Sequence, residues 1–259
     1  MKQRKKQKII YNVFFVLMLA IMLFSGFMIG KDLLSRKKEK EKFEDLKELV
    51  VVEENQQSQS LGDDSGTDRE AVESGRNLSK VFELNSDCVG WLCIADTNVD
   101  YPVMYTPDEP QKYLRQNFYE EDSVSGVPFI DERCTLDSDN LIIYGHNMKD
   151  KTMFGSLKNY RDSAYGMEHQ IIEFETTSGC DRYVIFAVIV TNTSDEWYDF
   201  ISVNTEEEFD SYVKKAEEKS LYHLELPEEY EKQIITLSTC YGSSDNARLL
   251  VVACKVSGY

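Results

Sequence analysis

The stretch from Gln233 to Val256, QIITLSTCYGSSDNARLLVVACKV, constrains the fold more than any other. Ile234 to Thr239 is β-branched and apolar and ends on Cys240. Seven residues rich in Gly, Ser, Asp and Asn follow, Tyr241 to Ala247, and Arg248 then opens a second run, Leu249 to Val256. Two such runs around a turn cluster predict a β-hairpin. Neighbouring strands lie about 4.8 Å apart. A cysteine closing one strand and an arginine opening the next therefore have side-chain tips that converge above one sheet edge.

The rest of the second half repeats the strand signal. Asp87 to Ile94, Asn98 to Met104, Gly126 to Asp131, Asn140 to Tyr144, Gln170 to Thr176 and Asp181 to Thr191 bring the total to about eight strands. Pro102 marks its strand as an edge or a strand end. Ala71 to Leu84, Phe154 to Tyr160 and Ser163 to Met167 read as short helical pieces, and Lys112 to Phe118 as a helical turn or an extended passage. Asn204 to Ala216 is the best helix: Thr205 and Glu208 form a capping box, acids fill the first turn, and Phe209, Tyr212, Val213 and Ala216 share one face. Many short strands with turn signals predict a mostly β fold, a closed and mostly antiparallel barrel with helices attached.

Residues 9–30 carry no charge over 22 positions, enough at about 1.5 Å per residue to cross a hydrocarbon layer of about 30 Å. A cleaved signal peptide would have a shorter apolar region and an A-x-A-like site, so an uncleaved anchor is expected. Eleven Lys/Arg against three Asp/Glu in residues 1–42 leave eighteen against forty-three for the remainder. This remainder is too acidic for a nucleic-acid partner, because phosphate contacts need a basic surface. The expected organisation is a basic tail over 1–8, a transmembrane anchor over 9–30, a juxtamembrane helix and flexible linker over 31–70, and one compact domain over 71–259.

Free cysteine is among the most buried residue types, so Cys240 could be a structural residue at a strand end. Two features point elsewhere: Ser238 and Thr239 are polar where a core strand would stay apolar, and His146 follows an earlier strand in Tyr144-Gly145-His146-Asn147. Cysteine, histidine and a cation are the equipment of acyl transfer. His169 and His223 read as surface or packing histidines. Unperturbed pKa values make about 3% of thiols and about a quarter of imidazoles charged at pH 7, and a nearby Arg248 favours the thiolate. None of the six cysteines shows a zinc spacing, and neither an H-E-x-x-H motif nor a calcium loop occurs. No metal and no cofactor are expected.

Thr236-Leu237-Ser238-Thr239-Cys240 with an arginine eight residues later, preceded by Tyr144-Gly145-His146-Asn147-Met148, resembles the class B sortases. The resemblance runs from about Val72 to Val256. It departs at Tyr241, where many members carry an acidic residue. It implies an eight-stranded sortase-type barrel with a long helix before the penultimate strand. It also implies a cysteine transpeptidase with Cys240 as nucleophile, His146 as proton carrier and Arg248 holding substrate or oxyanion. Leu114, Tyr144, Ser238 and Thr239 would contact the substrate. The implied partners are surface proteins with a C-terminal sorting signal of the Asn-Pro-x-Thr-x type and a peptidoglycan-precursor amine as acceptor. The implied location is the cell membrane, single-pass, with the N-terminus cytoplasmic and the catalytic domain extracellular.

Two other readings use the same residues. Cys240-Tyr241-Gly242 has the C-x-G spacing of caspase-like peptidases, but the glutamine-alanine pair before the cysteine is absent, 94 residues separate His146 from Cys240, and that fold needs an α/β sheet. A sortase-like binding module with idle residues would not react selectively at Cys240.

Overall fold

The computed structural model describes residues 2–50 and 76–257, in two units, 1–47 and 48–259. The expected linker and the first residues of the Ala71–Leu84 helix lie outside the described residues. The first unit is helical: helix α1 runs from Lys2 to Val50, so the expected anchor and juxtamembrane helix form one rod. Every large apolar side chain from Tyr11 to Ile29 is at least 44% exposed. A helix that is apolar on all sides, with nothing covering it, suits a lipid surroundings. Among the described residues it is the one helix long and apolar enough to cross a membrane.

The second unit is built on eight strands: β1 (Cys88–Cys93), β2 (Asp100–Met104), β3 (Phe129–Ile130), β4 (Asn140–Tyr144), β5 (Ile171–Thr176), β6 (Gly179–Asn192), β7 (Ile234–Cys240) and β8 (Ala247–Val256). They close into a barrel in the order β1-β2-β3-β4-β7-β8-β6-β5. Six of the pairings are antiparallel, while β2–β3 and β4–β7 are parallel. A parallel pair needs a long crossover, and between β4 and β7 that crossover carries β5, β6 and the long helix.

Among the described residues this unit holds three α-helices: α2 (Ser79–Leu84), α3 (Ser163–Glu168) and α4 (Glu206–Lys219). Thr205 caps α4 by accepting from Glu208 N at 3.2 Å, and Glu208 reaches back to Asn204 N at 3.0 Å. Phe209, Val213 and Ala216 are buried, and Tyr212 stacks on Phe200 with centroids 4.0 Å apart. The expected helix is therefore present and continues one turn further.

Two expectations shift for local reasons. The Gly126–Asp131 strand shrinks to two residues, because Gly126 has φ +59° and Pro128 has no N–H to give a ladder. Lys112–Phe118 holds a 3₁₀ turn over Lys112–Leu114. Lys112 Nζ ties this turn down by reaching Asp87 at 2.7 Å and Glu120 at 2.8 Å.

Strand β7 is buried on both faces from Ile234 to Thr239, and its polar residues are each satisfied inside. Thr236 donates to Asn140 Oδ1 at 2.7 Å and accepts from Trp197 Nε1 at 3.2 Å. Buried polar groups persist where partners replace water. All six cysteines are free thiols.

Candidate active site

The parallel register of β4 on β7, Tyr144 opposite Ser238, brings the C-terminal ends of both strands to one end of the barrel. The chain leaving β4 carries His146, and β7 ends on Cys240. The antiparallel register of β7 on β8 sets Cys240 opposite Arg248. Residues 94 positions apart and a hairpin partner thus share one rim, and Cys240 is exposed there.

Hydrogen bonds extend the β4–β7 ladder past the strand ends. Gly145 N donates to Ser238 O at 3.1 Å, Thr239 Oγ1 to Gly145 O at 2.7 Å, and Asn147 Nδ2 to Cys240 O at 2.8 Å. The histidine loop is therefore fastened to the cysteine strand by its neighbours on both sides. Gly145 is needed here for space: a Cβ would lie 2.6 Å from the Phe154 ring.

His146 Nε2 lies 3.0 Å from Leu114 O. A carbonyl only accepts, so this contact puts a proton on Nε2 and leaves Nδ1 open in the neutral ring. Gly126 leaves room for this backbone, since a Cβ there would lie 2.4 Å from Tyr113 O and 3.0 Å from Leu114 O. Arg248 Nη1 donates to Asp245 O at 2.7 Å and Ala247 O at 2.9 Å, which clamps one end of the guanidinium to its own loop. Nε and Nη2 have no hydrogen bond among the described residues.

A cleft of about 400 Å³ is lined by all seven residues singled out in the sequence, Leu114, Tyr144, His146, Ser238, Thr239, Cys240 and Arg248, together with Pro110, Gln111, Phe129, Asp131, Glu132, Arg133 and Gly145. Ser238 and Thr239 are buried and committed: Ser238 Oγ meets Tyr198 OH at 2.8 Å, and Thr239 holds Gly145. His169 stacks on Tyr165, and its Nδ1 lies 2.9 Å from Tyr165 O. Neither His169 nor His223 lines this cleft.

Sequence reasoning missed Asp131, Arg133 and Asn147. Asp131 is buried and accepts from Arg133 Nε at 2.9 Å, Arg133 Nη2 at 2.7 Å and Tyr144 OH at 2.8 Å. Burial pushes its carboxyl up, but the Arg133 donors and Tyr144 outweigh that and hold it below the usual carboxylate range. The available signal was an acid and a base two residues apart just after a strand, where a turn folds Arg133 back onto Asp131: Arg133 N donates to Asp131 Oδ1 at 3.0 Å and Cys134 N to Asp131 O at 3.0 Å.

Tyr241 lies under the Arg161 guanidinium, 5.5 Å from its ring centroid, so a cation–π contact occupies the position next to the thiol. Of the other cysteines, burial pushes Cys88 and Cys254 up to about 12 and Cys134 up to about 11. No group of three or more potential metal ligands occurs among the described residues.

Residues 92–256 match the Sortase domain family. Sortase B of Listeria monocytogenes is 35% identical over 239 residues, 89% of either chain. The chain belongs to the class B sortases. Among solved structures, the Staphylococcus aureus sortase B–substrate complex is 29% identical with a TM-score of 0.63, covering 69% of this chain and 84% of that one. Clostridium perfringens sortase B has the same identity and TM-score, with 69% and 98% covered. This sortase is accordingly a cysteine transpeptidase of surface-protein anchoring, from a family associated with the cell surface. The closed barrel also removes the caspase-like reading, which needs an α/β sheet.

Proposed function

We propose that Cys240, His146 and Arg248 carry the reaction on a sorting motif of the Asn-Pro-x-Thr-x type. Cys240 Sγ attacks the threonine carbonyl carbon, and Arg248 Nε and Nη2 hold substrate or oxyanion. The C–N bond breaks as imidazolium at His146 protonates the leaving amine, and a thioester remains. The amine of a peptidoglycan precursor then attacks the thioester, gives a proton back to His146 and releases the thiolate. The supporting observation is the rim itself: a parallel and an antiparallel register meet at β7, so an exposed thiol, an imidazole and a guanidinium line one cleft.

The acylation step is tested by following thioester formation by intact mass with Asn-Pro-x-Thr-x and Leu-Pro-x-Thr-Gly peptides. A site that hydrogen-bonds an amide rejects an apolar replacement strongly, so kcat/KM for the asparagine peptide should be higher by about tenfold or more. A preference for the leucine peptide would overturn the motif and leave the thiol chemistry standing. A binding module with idle residues would give no thioester with either.

The same reading places residues 1–8 in the cytoplasm, 9–30 in the membrane, 31–70 as spacer and 71–259 outside as the catalytic domain. The exposed apolar surface of α1 supports it. A chain beginning at Ala71 should leave the membrane fraction and keep its turnover of peptides in solution. If it were folded and inactive, with activity returning when residues 31–70 are restored, the spacer assignment would be wrong.

A further inference from the structure

A second cleft of about 410 Å³ adjoins the first and is lined by Arg133, Tyr144, Thr193, Ser194, Asp195, Tyr198, Asp199 and Arg248. Only Arg133, Tyr144 and Arg248 line both clefts, so these three form the boundary between them. Cys240 and His146 line the first alone. Arg133 is built for such a place. Nε and one N–H of Nη2 are spent on Asp131, which leaves three of its five N–H groups without a hydrogen bond among the described residues. Its side chain is 45% exposed, while Asp131 beneath it is 3% exposed. The buried carboxylate fixes the plane of the guanidinium and neutralises its charge. What remains is a rigid set of donors suited to an uncharged acceptor rather than to an anion.

We propose that Arg133 is a substrate-binding residue, donating to a backbone carbonyl of the sorting peptide where the peptide passes from the Cys240 cleft into the adjoining one. The assignment rests on the donor-peptide reading above. A pentapeptide held extended covers about 16 Å, and its path into the second cleft crosses Arg133, Tyr144 and Arg248. Arg248 has Nη1 tied to its own loop, so Arg133 is the other guanidinium with free donors on that boundary. Its task is to hold the peptide, and the bond-making stays with Cys240 and His146.

The test uses the detergent-solubilised full chain and its Arg133→Gln and Arg133→Lys variants, with the asparagine sorting peptide. Three quantities are read: KM and kcat, the rate of Cys240 alkylation by iodoacetamide, and the melting temperature. Both variants should raise KM about tenfold or more, the worth of one hydrogen bond to a charged donor, with kcat little changed. Alkylation should match the parent. Lysine should restore the melting temperature lost with glutamine, because an ammonium still pairs with Asp131, yet not restore KM, because an ammonium held against Asp131 lacks the planar fork that carries further N–H groups out to the cleft. An unchanged KM with glutamine, or a KM restored by lysine together with stability, would overturn the assignment and leave Arg133 as a support for Asp131. Slowed alkylation would overturn it too, placing the residue's effect at the thiol. A parent enzyme that forms no thioester would overturn the donor-peptide reading first, visible before any variant is made.

Discussion

Cys240→Ala is expected to abolish thioester formation altogether. The substitution removes the sulfur and little else. Cys240 meets its surroundings through its backbone, where its carbonyl accepts from Asn147 Nδ2 and its position pairs with Arg248, and alanine keeps both. The loss would therefore report the thiol and not a collapsed rim. Nothing nearby can take over. The hydroxyls of Ser238 and Thr239 are buried and already bonded, and no other cysteine lines the cleft. Cys88, Cys134 and Cys254 are buried with thiols pushed up to about 11 or 12, which leaves almost no thiolate at neutral pH. The measurement is intact mass after incubation with sorting peptide: the parent gains the acyl group, the variant stays at its own mass. An adduct on the variant, mapped to any other residue, would refute the nucleophile assignment.

Arg248→Lys is the second large effect, a loss of about 10²-fold or more in kcat/KM, the range for removing one oxyanion donor. The geometry gives the reason. The guanidinium does two things at once: Nη1 is anchored to the carbonyls of Asp245 and Ala247, while Nε and Nη2 stay open. A lysine has one nitrogen and cannot hold the loop and face the cleft together. The alternative role for Arg248 is purely electrostatic, holding the thiolate with its charge, and lysine would largely supply that. Cys240 pKa, from the pH dependence of alkylation, and turnover should be measured on the same variant. An unchanged pKa with lost turnover supports the donor role, and near-normal turnover would refute it.

Residue pattern alone carried the hairpin, the bounds of β4 and the capped helix, because each is a local signal. Alternating or continuous apolar runs and the Thr205–Glu208 box need no knowledge of what lies across the sheet. Strand partners are another matter. Nothing in Asn140–Tyr144 says that it lies parallel to Ile234–Cys240 instead of antiparallel to a neighbour in sequence, yet that pairing is what brings His146 to Cys240. The polar character of Ser238 and Thr239 was a sound clue to a special strand end. Its physical cause, however, is a set of buried hydrogen bonds to Tyr198 and Gly145. Asp131 and Arg133 escaped notice because two charges after a strand look like an exposed turn. Only the fold reveals that one of them is buried.

The crossover between β4 and β7 also governs when the enzyme can exist. Strands β7 and β8 are inserted between β4 and β6, so the β7–β8 hairpin completes the wall. Before it arrives, His146 sits on a loop with no Ser238, Thr239 or Cys240 to fasten it, and the barrel is open along two long edges. A chain without this hairpin has neither the Cys240 thiol nor a closed barrel, since both are delivered by the same stretch. Long-range pairings of this kind form late and slowly.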